Sequence, residues 1–197
     1  MSNFWNERFA TKEYVYGTAP NQFFSEELKK LSPGKLVLPG EGEGRNAVFA
    51  AQMGWQVTAF DSSSEGQKKA EQLAARQQVE LDYRIDSYDS IELQTESFDC
   101  LALIYTHMPP ANRQAYHHKL SSYLKKGGTL ILEGFSKAQI QNNTGGPKNV
   151  DMLFSKEELQ ADFAGFSSLK ISEAEVELDE GEFHQGTAHV IRLVAVK

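Results

Sequence analysis

Residues 35–61 read KLVLPGEGEGRNAVFAAQMGWQVTAFD. An apolar strand, Leu36-Val37-Leu38, runs into three glycines at every second position, Gly40, Gly42 and Gly44. A helical run follows from Ala47 to Met53, and Gly54 releases the chain into a second strand, Trp55 to Phe60, which ends on Asp61. Strand, glycine loop, helix, strand and terminal acid form the unit with which α/β folds hold nucleotide-like cofactors. Glycine lets backbone approach a ligand and adopt positive φ, and a helix start offers free N–H groups. A dinucleotide loop calls for G-x-G-x-x-G. Here the third glycine comes one position early, at 44, and position 45 is Arg45. Two acids, Glu41 and Glu43, stand inside the loop. Carboxylates repel a pyrophosphate and suit a ligand carrying an ammonium or sulfonium charge. Asp61 stands where an acid accepts hydrogen bonds from ribose hydroxyls. Asp86, after the third strand, is the next acid at the same edge.

Outward from this unit, strands are expected at 35–39, 55–60, 80–85, 98–105 and 128–134. Helices are expected at about 44–53, 64–77 and 110–124. Short apolar strands alternating with helices imply a parallel sheet covered on both faces. Lys125-Lys126-Gly127-Gly128 reads as a helix stop. The segment 135–151 is polar and turn-forming, and Ser155-Lys156-Glu157-Glu158 reads as a capping box for a helix to about Phe163. Two strand-like runs, 168–179 and 184–196, flank Asp179-Glu180-Gly181-Glu182 and form an expected antiparallel edge hairpin. Upstream, Phe4, Trp5, Arg8 and Phe9 share one helical face, and Asn21 caps a second helix reaching about Leu31. The expected fold is a doubly wound, mostly parallel seven-stranded sheet in one domain over 1–197. Residues 1–31 are its helical lid, 35–134 its cofactor-binding core, and 135–197 its substrate loop, helix and hairpin.

The formal net charge of the 197 residues is −7, which disfavours a nucleic-acid substrate. No apolar run approaches the ~20 residues of a membrane span, and the N-terminus lacks a secretory h-region. The one cysteine, Cys100, lies in an apolar run and reads as core. A cytoplasmic protein with no metal site is expected. His107, just beyond the fourth strand, is the leading candidate for a general base. His117 and His118 read as solvated, and of His184 and His189 only His184 is near the hairpin turn. Phe135, Asn143 and Thr144 belong to the expected substrate wall, at the carboxyl edge where binding loops sit.

The ordered blocks VLPGEGEGRN, Asp61, Asp86, SFDCLALIYTH and LKKGGTLILEG resemble the class I S-adenosylmethionine-dependent methyltransferases over residues 35–134. Within that superfamily the chain is similar to the small branch containing the tellurite-resistance and thiopurine methyltransferases, with counterparts of FWNERF…YVYGTAPN and LFSKEEL. The resemblance implies S-adenosylmethionine as cofactor and a small-molecule methyl acceptor. It implies that Gly40, Glu41, Gly42 and Gly44 lie along the methionine part, with Arg45 at its carboxylate or paired with a loop acid. Asp61, with Ser62 beside it, would hold the ribose, and Asp86 and Ser87 would flank the adenine. Tyr105 and Thr106 would end near the sulfonium. Trp5 and Tyr16 would close over the site, Tyr16 being a second catalytic candidate. The chain departs from the family pattern at Leu38, where an acid is usual, and at Glu41, whose carboxylate is expected to serve in its place. Two other readings stand beside this one: a binding protein for S-adenosylmethionine or S-adenosylhomocysteine without catalysis, and a nicotinamide-dependent oxidoreductase.

Overall fold

The computed structural model describes residues 2–197. Seven strands form one sheet: β1 (Lys35–Pro39), β2 (Gln56–Asp61), β3 (Asp82–Ile85), β4 (Phe98–Ile104), β5 (Leu124–Phe135), β6 (Ser168–Asp179) and β7 (Gln185–Val196). Their order is β3-β2-β1-β4-β5-β7-β6. The first five are parallel, and β7 pairs antiparallel with both β5 and β6. The order reverses between β1 and β4, and the crevice beyond the carboxyl ends of strands at such a switch is where ligands bind in open α/β sheets.

Successive strand residues face opposite sides of the sheet, so each central strand feeds two cores. Leu36, Leu38, Val57, Ala59, Cys100, Ala102 and Ile131 meet Phe24 and Leu28 of α2 (Gln22–Leu28) and Ala47 and Ala50 of α3 (Arg45–Gln52). Val37, Phe60, Leu101, Leu103, Leu130 and Leu132 face the other way. They meet Tyr116 and Leu120 of α5 (Pro110–Ser122) and Leu159 of α6 (Lys156–Asp162). Cys100 is fully buried in the first core, and burial pushes its thiol far above its ordinary value, so it is inert packing. α4 (Ser64–Arg76) follows β2, and α1 (Ser2–Phe9) packs against α4.

Several local signals are realised. Asn21 accepts from Phe24 N–H as the N-cap of α2, which ends at Leu28 rather than Leu31. Ser155 and Glu158 complete a reciprocal capping box. Three expectations are corrected. The stretch 125–128 belongs to β5, which starts at Leu124, because an irregularity opposite Phe98 and Cys100 accommodates it and Gly127 N–H donates to Lys197. The segment 135–151 is not all loop, since single turns of 3-10 helix form at Lys137–Gln141 and Val150–Met152. His117 is fully buried rather than solvated. Its Nδ1 lies 2.8 Å from Asp162, which also accepts from Arg113, so tertiary ion pairing overrides the polar neighbourhood along the helix.

Candidate active site

Gly40 closes β1 with φ 63°, and its N–H donates to Phe60 O, which holds the loop against β2. A Cβ at this position would meet the Tyr88 hydroxyl at 2.5 Å and Thr106 Cγ2 at 3.2 Å. Gly44 is the left-handed N-cap of α3, and a Cβ there would stand 2.5 Å from Cβ of Ala70. The third glycine thus brings α3 close to α4, and any side chain would force the helices apart.

The two loop acids do separate work. Glu41 turns back onto the start of α3, where its Oε1 accepts from Asn46 N–H at 2.8 Å and Ala47 N–H at 2.7 Å. This side chain satisfies two free donors of the helix end, so its carboxylate serves the helix rather than the open face of the loop. Burial pushes its carboxyl up to about 7, against the pull of the two N–H groups and Arg45. Between the unfolded value of 4.5 and that figure the folded chain holds the extra proton, so stability from this group falls as pH rises. Glu41→Gln keeps an acceptor and removes the titration. It is expected to gain on the wild type between pH 5 and pH 8 by about 5 °C in Tm, read by thermal denaturation at the two pH values.

Glu43 binds the lid. Its Oε2 accepts from Val15 N–H at 2.8 Å and Tyr16 N–H at 3.3 Å, while Lys69 Nζ pairs with Oε1 at 2.7 Å. The Phe9 ring packs on Gly42, Trp5 stacks on Phe9, and Arg8 donates to the Tyr16 hydroxyl. Tyr16 lies in the roof with its phenol pushed up by burial, so it stays neutral and is no base. Trp5 stands behind Phe9, with Phe4 at its edge.

Asp61 ends β2 with one oxygen accepting from Gly42 N–H at 3.1 Å and the other from Ser63 N–H at 2.9 Å. It ties the glycine loop to the start of α4, and Ser62 stands half-buried between them. Asp86 accepts from Ser87 N–H and the Ser90 hydroxyl in a turn after β3, and its own N–H donates to Asp61 O at 3.0 Å. Within that turn, Tyr88 reaches under Gly40. Thr106 lies buried at the end of β4 with its hydroxyl unpartnered among the described residues. An orphaned hydroxyl, a glycine cradle and a strand-end carboxylate at the switch point fit a nucleoside cofactor.

Beyond the end of β4 lies an aromatic enclosure. Tyr105 has a left-handed backbone, φ 54°, unusual for a bulky residue and typical of functional positions. Its ring stacks on Phe135, and both rings, with Tyr16, surround His184 at centroid distances of 4.6 to 5.3 Å. His184 Nδ1 stands 3.2 Å from Glu180 Oε2, leaving Nε2 without a partner among the described residues. Burial pulls the imidazole below its usual value against the opposing pull of Glu180, so Nε2 carries a free lone pair at neutral pH. Beneath it, buried Glu133 accepts from Asn21 at 2.6 Å, the Tyr105 hydroxyl at 3.1 Å and Arg192 at 2.6 Å.

The remaining sequence candidates sit elsewhere. His107 has both nitrogens engaged: Nδ1 donates to Met152 O at 2.8 Å, and Nε2 accepts from Phe135 N–H at 3.0 Å. Burial pulls it down to about 4, so it is a neutral clamp between β5 and the following segment, with no lone pair to spare. Phe135 is buried and serves as a backing for Tyr105 and His184 rather than an exposed wall. Asn143 is exposed and accepts from Lys148, and Thr144 donates to Thr187 O, which pins the loop onto β7. The linear pattern marks Glu180 as a hairpin-turn residue, an acid four residues before a histidine, and not as a functional one. A cavity of ≈ 710 Å³ lined by Lys35, Gln56, Asp82 and Phe98 opens at the other edge of the sheet, away from this chemistry.

Residues 39–128 match the model of the methyltransferase domain family. The matched stretch runs from the end of β1 into β5 and takes in the glycine loop, so this part of the chain is similar to methyltransferase domains. A ubiquinone biosynthesis O-methyltransferase from Xanthomonas campestris is 29% identical over 142 residues, 70% of this chain and 58% of the relative. The chain thus spans little more than half the length of that curated protein. TehB from Haemophilus influenzae superposes with a TM-score of 0.71 at 15% identity, covering 100% of this chain and 66% of its own. A protein solved for the conversion of a disulfide bond into a thioacetal group during echinomycin biosynthesis gives 0.75 at 16%, covering 100% and 92%. At such identities the structural likeness establishes the fold. Among the described residues no helix is long and apolar enough to cross a membrane.

Proposed function

We propose that this chain, acting as one domain in the cytoplasm, transfers a methyl group from S-adenosylmethionine to a small-molecule acceptor whose nucleophile must lose a proton. The observation that carries the reading is the Glu180–His184 pair. Its free imidazole nitrogen stands in an aromatic enclosure beside the end of β4. Gly40, Gly42 and Gly44 would lie along the methionine portion of the cofactor, Asp61 at its ribose, Asp86 and Ser87 at its adenine, and Tyr105 and Thr106 at the sulfonium. The bound cofactor supplies an activated methyl on a sulfur that departs neutral. The chain's own residues then orient the acceptor, exclude water and take its proton at His184 Nε2. Glu180 fixes the imidazole tautomer by accepting from Nδ1–H and stabilises the imidazolium that forms. The roof formed by Phe9 and Tyr16, held by Glu43, keeps the site dry.

Thermal denaturation with S-adenosylmethionine, S-adenosylhomocysteine and NAD(H) tests the cofactor. Either sulfur ligand at ~100 times its Kd should stabilise by about 2.7 kcal/mol, with no effect from NAD(H). A response to NAD(H) alone would sink the reading. Binding without turnover across thiol, phenol, amine and oxyanion acceptors would assign the chain to a non-catalytic sensor.

A further inference from the structure

We propose that Arg45 is a positioning residue for His184, and that the Arg45–Glu180–His184 chain transmits the state of the cofactor loop to the base. The inference rests on the reading of His184 as that base. Arg45 is the first residue of α3, immediately after the left-handed Gly44. Its Nη2 reaches Glu180 Oε2 at 2.9 Å, across 135 residues of chain. The same oxygen of Glu180 faces His184 Nδ1. Arg45 Nη1 also donates to Tyr16 O in the lid, and Asn21 holds the other oxygen of Glu180 at 3.2 Å.

Physical economy argues for a role beyond stability. The Arg45 and Glu180 side chains are 8% and 13% exposed. Removing two charges from water costs several kcal/mol, so a buried pair of this kind is weak evidence for stability. Its placement is informative, because it bridges the two halves of the crevice. A rotation at Gly44 moves the α3 start, Arg45 with it, and so the one carboxylate oxygen that orients the imidazole. Cofactor occupancy and base ionisation are then linked, and linkage is reciprocal.

The charged and titratable groups around His184 are few. Glu180 lies on its own turn, Arg45 comes from α3, Arg8 from α1, Tyr16 from the lid, Tyr105 from the end of β4, and His107 from the β4–α5 connection. Arg45 and Arg8 disfavour the imidazolium, and Glu180 favours it. The two members of one ion pair therefore act on His184 with opposite signs.

Imidazole NMR titrations of His184 in wild type, Arg45→Gln, Arg45→Lys and Glu180→Gln, with and without S-adenosylhomocysteine, test the proposal without any methyl acceptor. Arg45→Gln should raise the His184 pKa by about 1 unit, and Glu180→Gln should lower it by a similar amount. Arg45→Lys should return it toward wild type. In the wild type, S-adenosylhomocysteine should shift the titration; in Arg45→Gln it should bind, read from the Gly40–Gly44 amides, and leave His184 unmoved. Same-sign shifts in the two neutral variants, or a ligand-induced shift that survives in Arg45→Gln, overturn the proposal. No perturbation of the Gly40–Gly44 amides in the wild type overturns the cofactor assignment itself and with it the link between loop and base. The ligand-free titrations separately decide the base's dependence on Arg45, and a methyl-transfer rate indifferent to His184 would strike only the reading of the base.

Discussion

His184→Ala is expected to lower kcat for methyl transfer to a protonated thiol or phenol by 10²- to 10⁴-fold, the usual contribution of a positioned general base, about 10² to 10⁴. The size of the loss should depend on the acceptor. A nucleophile already ionised at the assay pH has no proton to give, so its rate should fall little. In the wild type, kcat/KM for a protonated acceptor should decline as pH drops through the His184 pKa, which burial places below the ordinary histidine value. Above that value the imidazole is neutral and its Nε2 accepts. His107→Ala should leave this acid limb in place and cost stability instead, because it strands Phe135 N–H and Met152 O. An acid limb removed by His107→Ala and kept by His184→Ala would reverse the assignment.

Asp61→Ala should raise the Kd for S-adenosylhomocysteine by about 10²-fold or more, measured by calorimetry. Two losses combine in that figure. The proposed ribose contact disappears, and Gly42 N–H and Ser63 N–H lose the carboxylate that ties the glycine loop to α4. The second loss should appear without ligand as about 1–3 kcal/mol of stability. An unchanged Kd alongside the stability loss would confine Asp61 to a structural tie. Asp61→Asn separates the two further, since its amide keeps one acceptor but presents a donor toward one of the two backbone N–H groups.

The glycine loop and its strand-end acid were legible because they are local. Gly40, Gly42, Gly44 and Asp61 lie within one strand–loop–helix–strand unit, where backbone geometry dictates residue type. The strand pattern was legible for a similar reason: parallel strands buried on both faces are continuous apolar runs, as at Leu36–Leu38 and Cys100–Ile104. The loop acids show where local reading stops. Glu41 and Glu43 stand two residues apart, yet one caps α3 and the other grips Val15, Tyr16 and Lys69.

The proposed acceptor half was not legible because it is assembled from distant segments. His107 and His184 are equally plain in the sequence. Only the folded chain engages both nitrogens of the first and leaves one nitrogen of the second free. Phe135, Asn143 and Thr144 sit at the expected edge, yet packing against Tyr105 and β7 turns them into supports. The sequence by itself determined the class of fold and the place of the glycine loop, since both depend on neighbours along the chain. Tertiary structure decided which histidine is free, which acid orients it and which arginine reaches that acid. Those choices depend on burial and on contacts such as Arg45 to Glu180, where residues far apart in the chain become neighbours only once the sheet is built.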